Sequence, residues 1–194
     1  MSDEQITLSE VEWSRAWNVR GDAAQPTFKL EAERLLGVAL PLRSNASARS
    51  NATAHDGGTL ALWSRPGSWL VMAGTDAVQM DFDAARVALN AAGGALFDVS
   101  ASYVAWKISG VNAARVLNRT CPLDFHPRVF PAGGCAQSVL GHVNAVFYRP
   151  RETPEFVVVV GRSFAADAWH ALCQSAETDG YRAGPRSALV APVG

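Results

Sequence analysis

The hydrophobic residues of this chain follow two spacings, which divide the sequence into predicted strands and helices. Alternating or continuous apolar runs predict strands in residues 59–74, 95–110, 135–150 and 155–161. Apolar residues spaced three and four apart predict helices in residues 28–36, 75–94, 111–120 and 162–180. Strands and helices mixed in this way predict an α+β fold, with helices packed on a mostly antiparallel sheet.

Local signals refine several of these elements. Pro66-Gly67 separates two apolar runs and suits a type II turn, so residues 59–74 are predicted to form a hairpin. Thr75 or Asp76 is the predicted N-cap of the second helix, and Ser163 that of the last helix. The run Phe156–Val160 is wholly apolar, which predicts a strand buried on both faces.

Two stretches of about 35 residues repeat the same order of elements. Each runs through a strand, an Arg-Pro turn, an apolar strand, a glycine and a helix, with Arg65-Pro66 echoed by Arg149-Pro150. Such an echo predicts pseudo-symmetric halves. We therefore expect a single duplicated domain over 28–180, with halves of about 59–110 and 111–180.

The two ends and one internal segment lack a clear pattern. Residues 1–27 read as an extended arm, in which Trp13 and Trp17 either dock on a partner or anchor the arm to its own chain. Residues 42–58 are rich in Ser, Asn and Ala, which predicts a loop. The tail 181–194 receives no assignment.

Composition narrows the function classes. The net charge is −1, which argues against nucleic acid as a partner. Charged residues make up only 18% of the chain, so few charged side chains are available to cover its surface. The apolar runs are too short for a membrane span, and the polar start predicts no signal peptide. The three cysteines match no disulfide framework, so we expect a cytoplasmic protein.

The stretch "CPLDFHPRVFPAGG", from Cys121 to Gly134, holds the densest set of reactive side chains. Cys121 or Ser100 could be drawn as a nucleophile with His126 and Asp124. The alternative, which we favour, is that Asp124 and His126 bond the backbone of a stiff loop. The spacing of histidines and cysteines predicts no metal site, and no glycine-rich phosphate motif is present, so we predict no catalytic residue, cofactor or metal in this chain.

Three segments carry a family resemblance. They are "LLGVALP", "LALWSRPGSWLVMAG" and "FDVSASYVAWKISGVNAARVLNRTCPLDFHPRVFPAGGCAQSVLGHVNAVFYR". Together they resemble the gamma subunit of bacterial heterotetrameric sarcosine oxidase. More distantly, the start of the third segment is similar to the glycine cleavage T-protein, which implies a duplicated folate-binding-domain-like fold. The chain is too short for the T-protein's C-terminal barrel and matches none of its folate-binding motifs.

The resemblance implies a structural role in a complex that demethylates sarcosine to glycine and passes the one-carbon unit to tetrahydrofolate. The complex would carry FAD, FMN, NAD, tetrahydrofolate and zinc on other subunits, and the partners would be the alpha, beta and delta subunits, mainly alpha. Paralogous complexes acting on other N-methyl amines or N-methylglutamate, a free-standing folate-binding aminomethyltransferase-like protein, and an unrelated adaptor stay open. The candidate interface residues are Trp13, Trp17, Pro122, His126, Arg128 and Phe130.

Overall fold

The computed structural model describes residues 6–50, 58–75 and 80–189. The chain divides into two compact units, the first built from residues up to 11 and 102–187, the second from residues 12–101 and the segment after 187. The strands are β1 (Ile6–Glu12), β2 (Arg15–Arg20), β3 (Ser47–Arg49), β4 (Thr59–Arg65), β5 (Ser68–Ala73), β6 (Ala95–Asp98), β7 (Tyr103–Ser109), β8 (Cys135–Leu140), β9 (Val143–Tyr148), β10 (Glu155–Gly161), β11 (Tyr181–Ala183) and β12 (Ser187–Ala188). The helices are α1 (Pro26–Leu36), α2 (Phe82–Ala91), α3 (Ala113–Asn118) and α4 (Ala165–Glu177).

The second unit is a five-stranded sheet in the order β3-β4-β5-β2-β6, with α1 and α2 packed on one face. Phe28 of α1 stacks on Trp69 of β5, with 6.0 Å between ring centroids. The Trp69 indole donates a hydrogen bond to the Pro41 carbonyl at 2.8 Å, which fixes the segment that follows α1. The predicted hairpin 59–74 is confirmed, and Gly67 takes the positive φ of 68° that the turn requires.

The first unit is a sheet in the order β11-β1-β7-β10-β9-β8, and β12 also pairs with β1. Helices α3 and α4 pack on the face that carries Trp106, Ile108, Phe147 and Val158. The predicted burial of β10 on both faces is confirmed, since each residue from Phe156 to Val160 is at most 2% exposed. Two buried faces explain why this strand reads as a continuous apolar run.

Both units repeat one chain order. The second unit runs β2-α1-β3-β4-β5-α2-β6, and the first runs β7-α3-β8-β9-β10-α4-β11. The sheet orders correspond as well, except that β1 lies between β7 and β11 where β2 and β6 pair directly. The observed units divide after Ala101, so β7 belongs to the first unit. The division of duplicated halves near residue 110 stays a prediction.

The N-terminal segment differs most from its prediction. Instead of forming an arm, β1 pairs with β7 and β11, and β2 pairs with β5 and β6. Trp17 is 5% exposed and belongs to the core of the second unit. Strand partners 48 to 175 residues away in the chain leave no mark on the local pattern, so the short alternation of β1 was not recognised.

Two predicted helix caps are wrong. Helix α2 starts at Phe82 and not after Thr75. Its N-cap is Asp81, whose carboxylate accepts the Ala84 N–H at 3.1 Å. The other predicted cap, Asp76, lies outside the described residues. A 3₁₀ turn, Arg162–Phe164, precedes the last helix, whose N-cap position is Phe164 and not Ser163. The predicted loop 42–58 contains the short strand β3, and its residues 51–57 lie outside the described part of the chain. The tail 181–194, which received no assignment, contains β11 and β12.

Replacing Trp17 by alanine is expected to lower the free energy of unfolding by about 3–5 kcal/mol, because a large core side chain is lost and a cavity is left. Urea unfolding of the isolated chain measures this. Trp13→Ala is the matched control, since Trp13 is only half-buried and its loss should cost much less. Equal losses for both variants would contradict the assignment of Trp17 to the core.

Candidate functional site

The loop from Cys121 to Gly134 joins α3 to β8 and is held from inside by two aromatic residues. Phe125 and Phe130 are both buried. The Phe125 ring contacts Phe130, Phe147 and Phe156 edge to face, at centroid distances of 5.5, 5.2 and 5.3 Å. Edge-to-face contact is the favoured geometry for buried rings, so the loop is anchored to β9 and β10 at its middle and near its end.

Backbone chemistry stiffens the same loop. Pro122, Pro127 and Pro131 fix φ, which reduces the entropy that the loop loses when it orders. Gly133 has a φ of 77°, a region that side chains disfavour. A Cβ on Gly134 would lie 2.8 Å from the Pro131 carbonyl oxygen, so any larger residue at this position would clash with the backbone.

A buried arginine closes the loop. Arg149 is 2% exposed, and its guanidinium donates to the Phe130 carbonyl at 2.9 Å and to the Glu152 carbonyl at 2.6 Å. Its backbone accepts from Gly133 N–H at 2.8 Å and donates to the Gly134 carbonyl at 3.0 Å. Burying a cation is costly unless hydrogen bonds compensate, so this arginine holds the end of the loop firmly against β9.

The reactive side chains of the loop are occupied by the loop itself. The Asp124 carboxylate accepts the His126 N–H at 2.8 Å, and His126 Nδ1 accepts the Arg128 N–H at 3.3 Å. Cys121 is buried in the core of the first unit. Ser100 belongs to the second unit, where its hydroxyl bonds the backbone of Ala16. These are the backbone bonds that the non-catalytic interpretation of the loop expects.

The candidate interface residues separate by exposure. Pro122, His126 and Arg128 are exposed on the loop. Phe130 and Trp17 are buried and Trp13 is half-buried, and an interface role for these residues stays a prediction. The sequence analysis did not propose Arg149 as a site residue, although Arg149-Pro150 is one of the two matching Arg-Pro turns.

Outside the loop, Arg115 and Arg119 both form ion pairs with Asp179, whose side chain is 1% exposed. No cluster of three metal-binding side chains occurs in the part of the chain that the structure describes. His170 is exposed on α4, and the nearby Cys173 is half-buried. A hydrogen bond with Cys173 raises the pKa of the Tyr181 phenol. Within the described ranges, no helix has the length and apolar character needed to span a bilayer.

One open depression, of about 630 Å³, lies within the first unit. It sits at the end of the strands where Tyr103 pairs with Gly161, opposite the end where Ser109 pairs with Glu155. Val146, Val159 and the exposed Phe164 are among the residues that line it. The loop contributes no residue to its lining.

Comparison with known proteins places the chain in a family. The family model described as "Sarcosine oxidase, gamma subunit family" matches residues 20–178. The chain belongs to the sarcosine oxidase gamma subunit family. The resemblance read from the sequence is therefore confirmed.

Two curated gamma subunits are similar over most of the chain. The sarcosine oxidase subunit gamma of Corynebacterium sp. (strain U-96) is 27% identical over 150 residues, covering 77% of this chain and 69% of the relative. The subunit gamma of Corynebacterium sp. (strain P-1) is 28% identical over 154 residues, covering 79% and 71%.

Solved structures share the fold. A chain of the heterotetrameric sarcosine oxidase from Corynebacterium sp. U-96, solved with pyrrole 2-carboxylate, superposes with a TM-score of 0.80 at 24% identity, over 95% of this chain and 90% of that one. The glycine cleavage system aminomethyltransferase T from Bartonella henselae gives a TM-score of 0.66 at 12% identity, over 95% of this chain and 48% of that one. The expected α+β fold and its likeness to the T-protein are confirmed.

Removing the Arg149 guanidinium should loosen the loop. We expect Arg149→Met to lower the free energy of unfolding by about 3 kcal/mol, because two charge-assisted hydrogen bonds are lost and a buried carbonyl is left without a donor. Hydrogen exchange should speed up for the amides of residues 125–134. Arg65→Met is the matched control, since Arg65 holds the equivalent position in the second unit and is exposed. Unchanged exchange in Arg149→Met would show that the loop does not depend on this clamp.

Proposed function

We propose that this chain is the non-catalytic gamma subunit of a heterotetrameric sarcosine oxidase complex. Such a complex oxidatively demethylates sarcosine to glycine and transfers the one-carbon unit to tetrahydrofolate. The observation that carries the proposal is membership of the gamma subunit family over residues 20–178. The shared fold with a chain of a heterotetrameric sarcosine oxidase supports it.

The contribution of this chain is assembly rather than chemistry. The loop that holds its most reactive side chains uses Asp124 and His126 for backbone hydrogen bonds and buries Cys121. Groups committed in this way are poorly placed to act as nucleophile and base. FAD, FMN, NAD, tetrahydrofolate and zinc then reside on the alpha, beta and delta subunits, and the assembled enzyme works in the cytoplasm.

The fold of this subunit is a duplication. Two units with the same order of seven elements and corresponding sheet orders support a common origin for the repeats. The N-terminal strand β1 is an addition to the later repeat, where it separates β7 from β11. The alpha subunit, whose folate domain has the same kind of fold, is the main partner.

A free-standing folate-binding protein is the second candidate, because the fold is shared with an aminomethyltransferase. The two candidates differ in what the isolated chain does. A folate-binding protein must bind its ligand alone, whereas a gamma subunit needs its partners. A paralogous complex that oxidises another N-methyl amine is a variant of the first candidate and differs from it in substrate.

Co-expression with its own alpha, beta and delta subunits should recover the chain in a yellow complex that oxidises sarcosine, while the chain purified alone is colourless. Absorbance near 450 nm and subunit composition measure this. Calorimetric titration of the isolated chain with tetrahydrofolate should give no micromolar binding. Recovery of a stable free monomer that binds folate or flavin would reject the gamma subunit role, and a preference for another methylated amine would favour a paralogous complex.

A further inference from the structure

The segment 181–187 runs along the outer edge of the first unit's sheet, and we call it the strap. Its strand β11 pairs in parallel with β1 at three positions, from Ile6 with Tyr181 to Leu8 with Ala183. Parallel pairing is slightly less stable per residue than antiparallel pairing. The ladder that joins β11 to the rest of the sheet is therefore short and comparatively weak.

The strap buries little apolar surface. All three residues of β11 are exposed. The Arg182 guanidinium donates to the Thr7 hydroxyl at 3.1 Å, and Arg186 forms an ion pair with Glu10 at 3.1 Å. Polar contacts between exposed groups add little stability, because water competes for them. Few buried apolar contacts and solvent-exposed backbone bonds are the marks of a segment that opens before the rest of the fold.

Both ends of the strap are fixed. On the side of α4, the Asp179 side chain is 1% exposed and forms ion pairs with Arg115 and Arg119 of α3. On the other side, Leu189 is 2% exposed and its N–H donates to the Glu12 carbonyl at 3.3 Å. A weakly held segment between two fixed points can bow outward without releasing either of them.

Two glycines set the hinge and the seat of the strap. Gly180 directly precedes it with a φ of 71°, a backbone conformation that side chains disfavour. The Gly184 N–H donates to the Leu8 carbonyl at 2.7 Å. A Cβ on Gly184 would lie 2.4 Å from Ser9 Oγ and 2.6 Å from Thr7 Cγ2. The backbone of the strap therefore lies directly on β1, and a side chain at Gly184 would push it away.

We propose that the strap is a conformational device, which opens locally between its two fixed ends and uncovers the outer edge of β1 while the rest of the first unit stays folded. Strand β1 stays in place because Ile6 and Leu8 belong to the core of that unit. Opening exchanges bonds such as that from Gly184 to Leu8 for bonds to water. A bare strand edge pairs readily with other strands, so the strap decides when this edge is covered. The inference concerns the isolated chain and does not depend on the proposed function.

The test is native-state hydrogen exchange of the full chain, resolved by residue and corrected for intrinsic rates. The Gly184 amide should exchange at least about a hundredfold faster than the amides of the central strand β10. The β7 amides that face β1 should stay slow, because β1 does not leave the sheet. Equal protection of Gly184 and β10 would overturn the inference, since the strap would then open only when the unit unfolds. Fast exchange of β7 together with the strap would overturn it too, since β1 would be leaving.

Gly184→Ala should unseat the strap, because the new methyl group meets Ser9 and Thr7. We expect the remaining strap amides to exchange about tenfold faster than in the parent, with β10 and the thermal melt little changed. Gly161→Ala is the matched control, since Gly161 has an ordinary φ of −60° and a Cβ there would lie 3.6 Å from Phe164. It should leave the exchange of the strap unchanged. Parental exchange of the strap in Gly184→Ala would contradict the inference.

A second variant tests the fixed end at α4. The Asp179 and Gly180 amides bond to the last turn of that helix, and in the parent they should exchange slowly. Asp179→Asn removes the charge that Arg115 and Arg119 bind, so fast exchange should extend into these two amides. Asp83→Asn, which loses an exposed ion pair on α2, is the control and should change neither. If both amides already exchange as fast as the strap in the parent, the strap has no fixed end there and the inference is overturned.

Discussion

The burial of the Arg149 guanidinium is the constraint on which the first unit depends. A buried cation must find acceptors, and here they are main-chain carbonyls on either side of it, Phe130 in the loop and Glu152 in the following connection. Because carbonyl positions are set by the backbone, the requirement fixes the path of two connections at once. The aromatic contacts of Phe125 and Phe130 then fill the space beneath. A long proline-rich segment thereby becomes a defined surface.

The second unit provides an internal comparison for this device. There, Trp69 of β5 secures the segment after α1 by donating from its indole to the Pro41 carbonyl. The equivalent of Arg149 is Arg65, which is exposed. The second unit therefore holds a connection with a neutral donor, and the first unit holds its loop with a buried cation.

Membership of the gamma subunit family suggests what the rigid loop of the first unit is for. The proposed assembly role requires a surface that keeps one shape, and the loop Cys121–Gly134 keeps its shape with prolines, packed rings and backbone hydrogen bonds. The reactive residue types in the loop are explained by the same requirement, because Asp124 and His126 are good acceptors for nearby backbone N–H groups. Their presence is thus compatible with an assembly role.

The sequence by itself determined the local elements, the family and the echo between the Arg-Pro turns, because these depend on nearest neighbours and on the order of residues. The hairpin at Pro66-Gly67 and the doubly buried strand β10 were readable for that reason. Tertiary structure decided the rest. The placement of β1 beside β7 and the burial of Trp17 depend on strands that are distant in the chain, and such pairing leaves no local periodicity to read. The role of Arg149 was decided in the same way, since whether an arginine is exposed or clamps a loop depends on which carbonyls the fold brings to it.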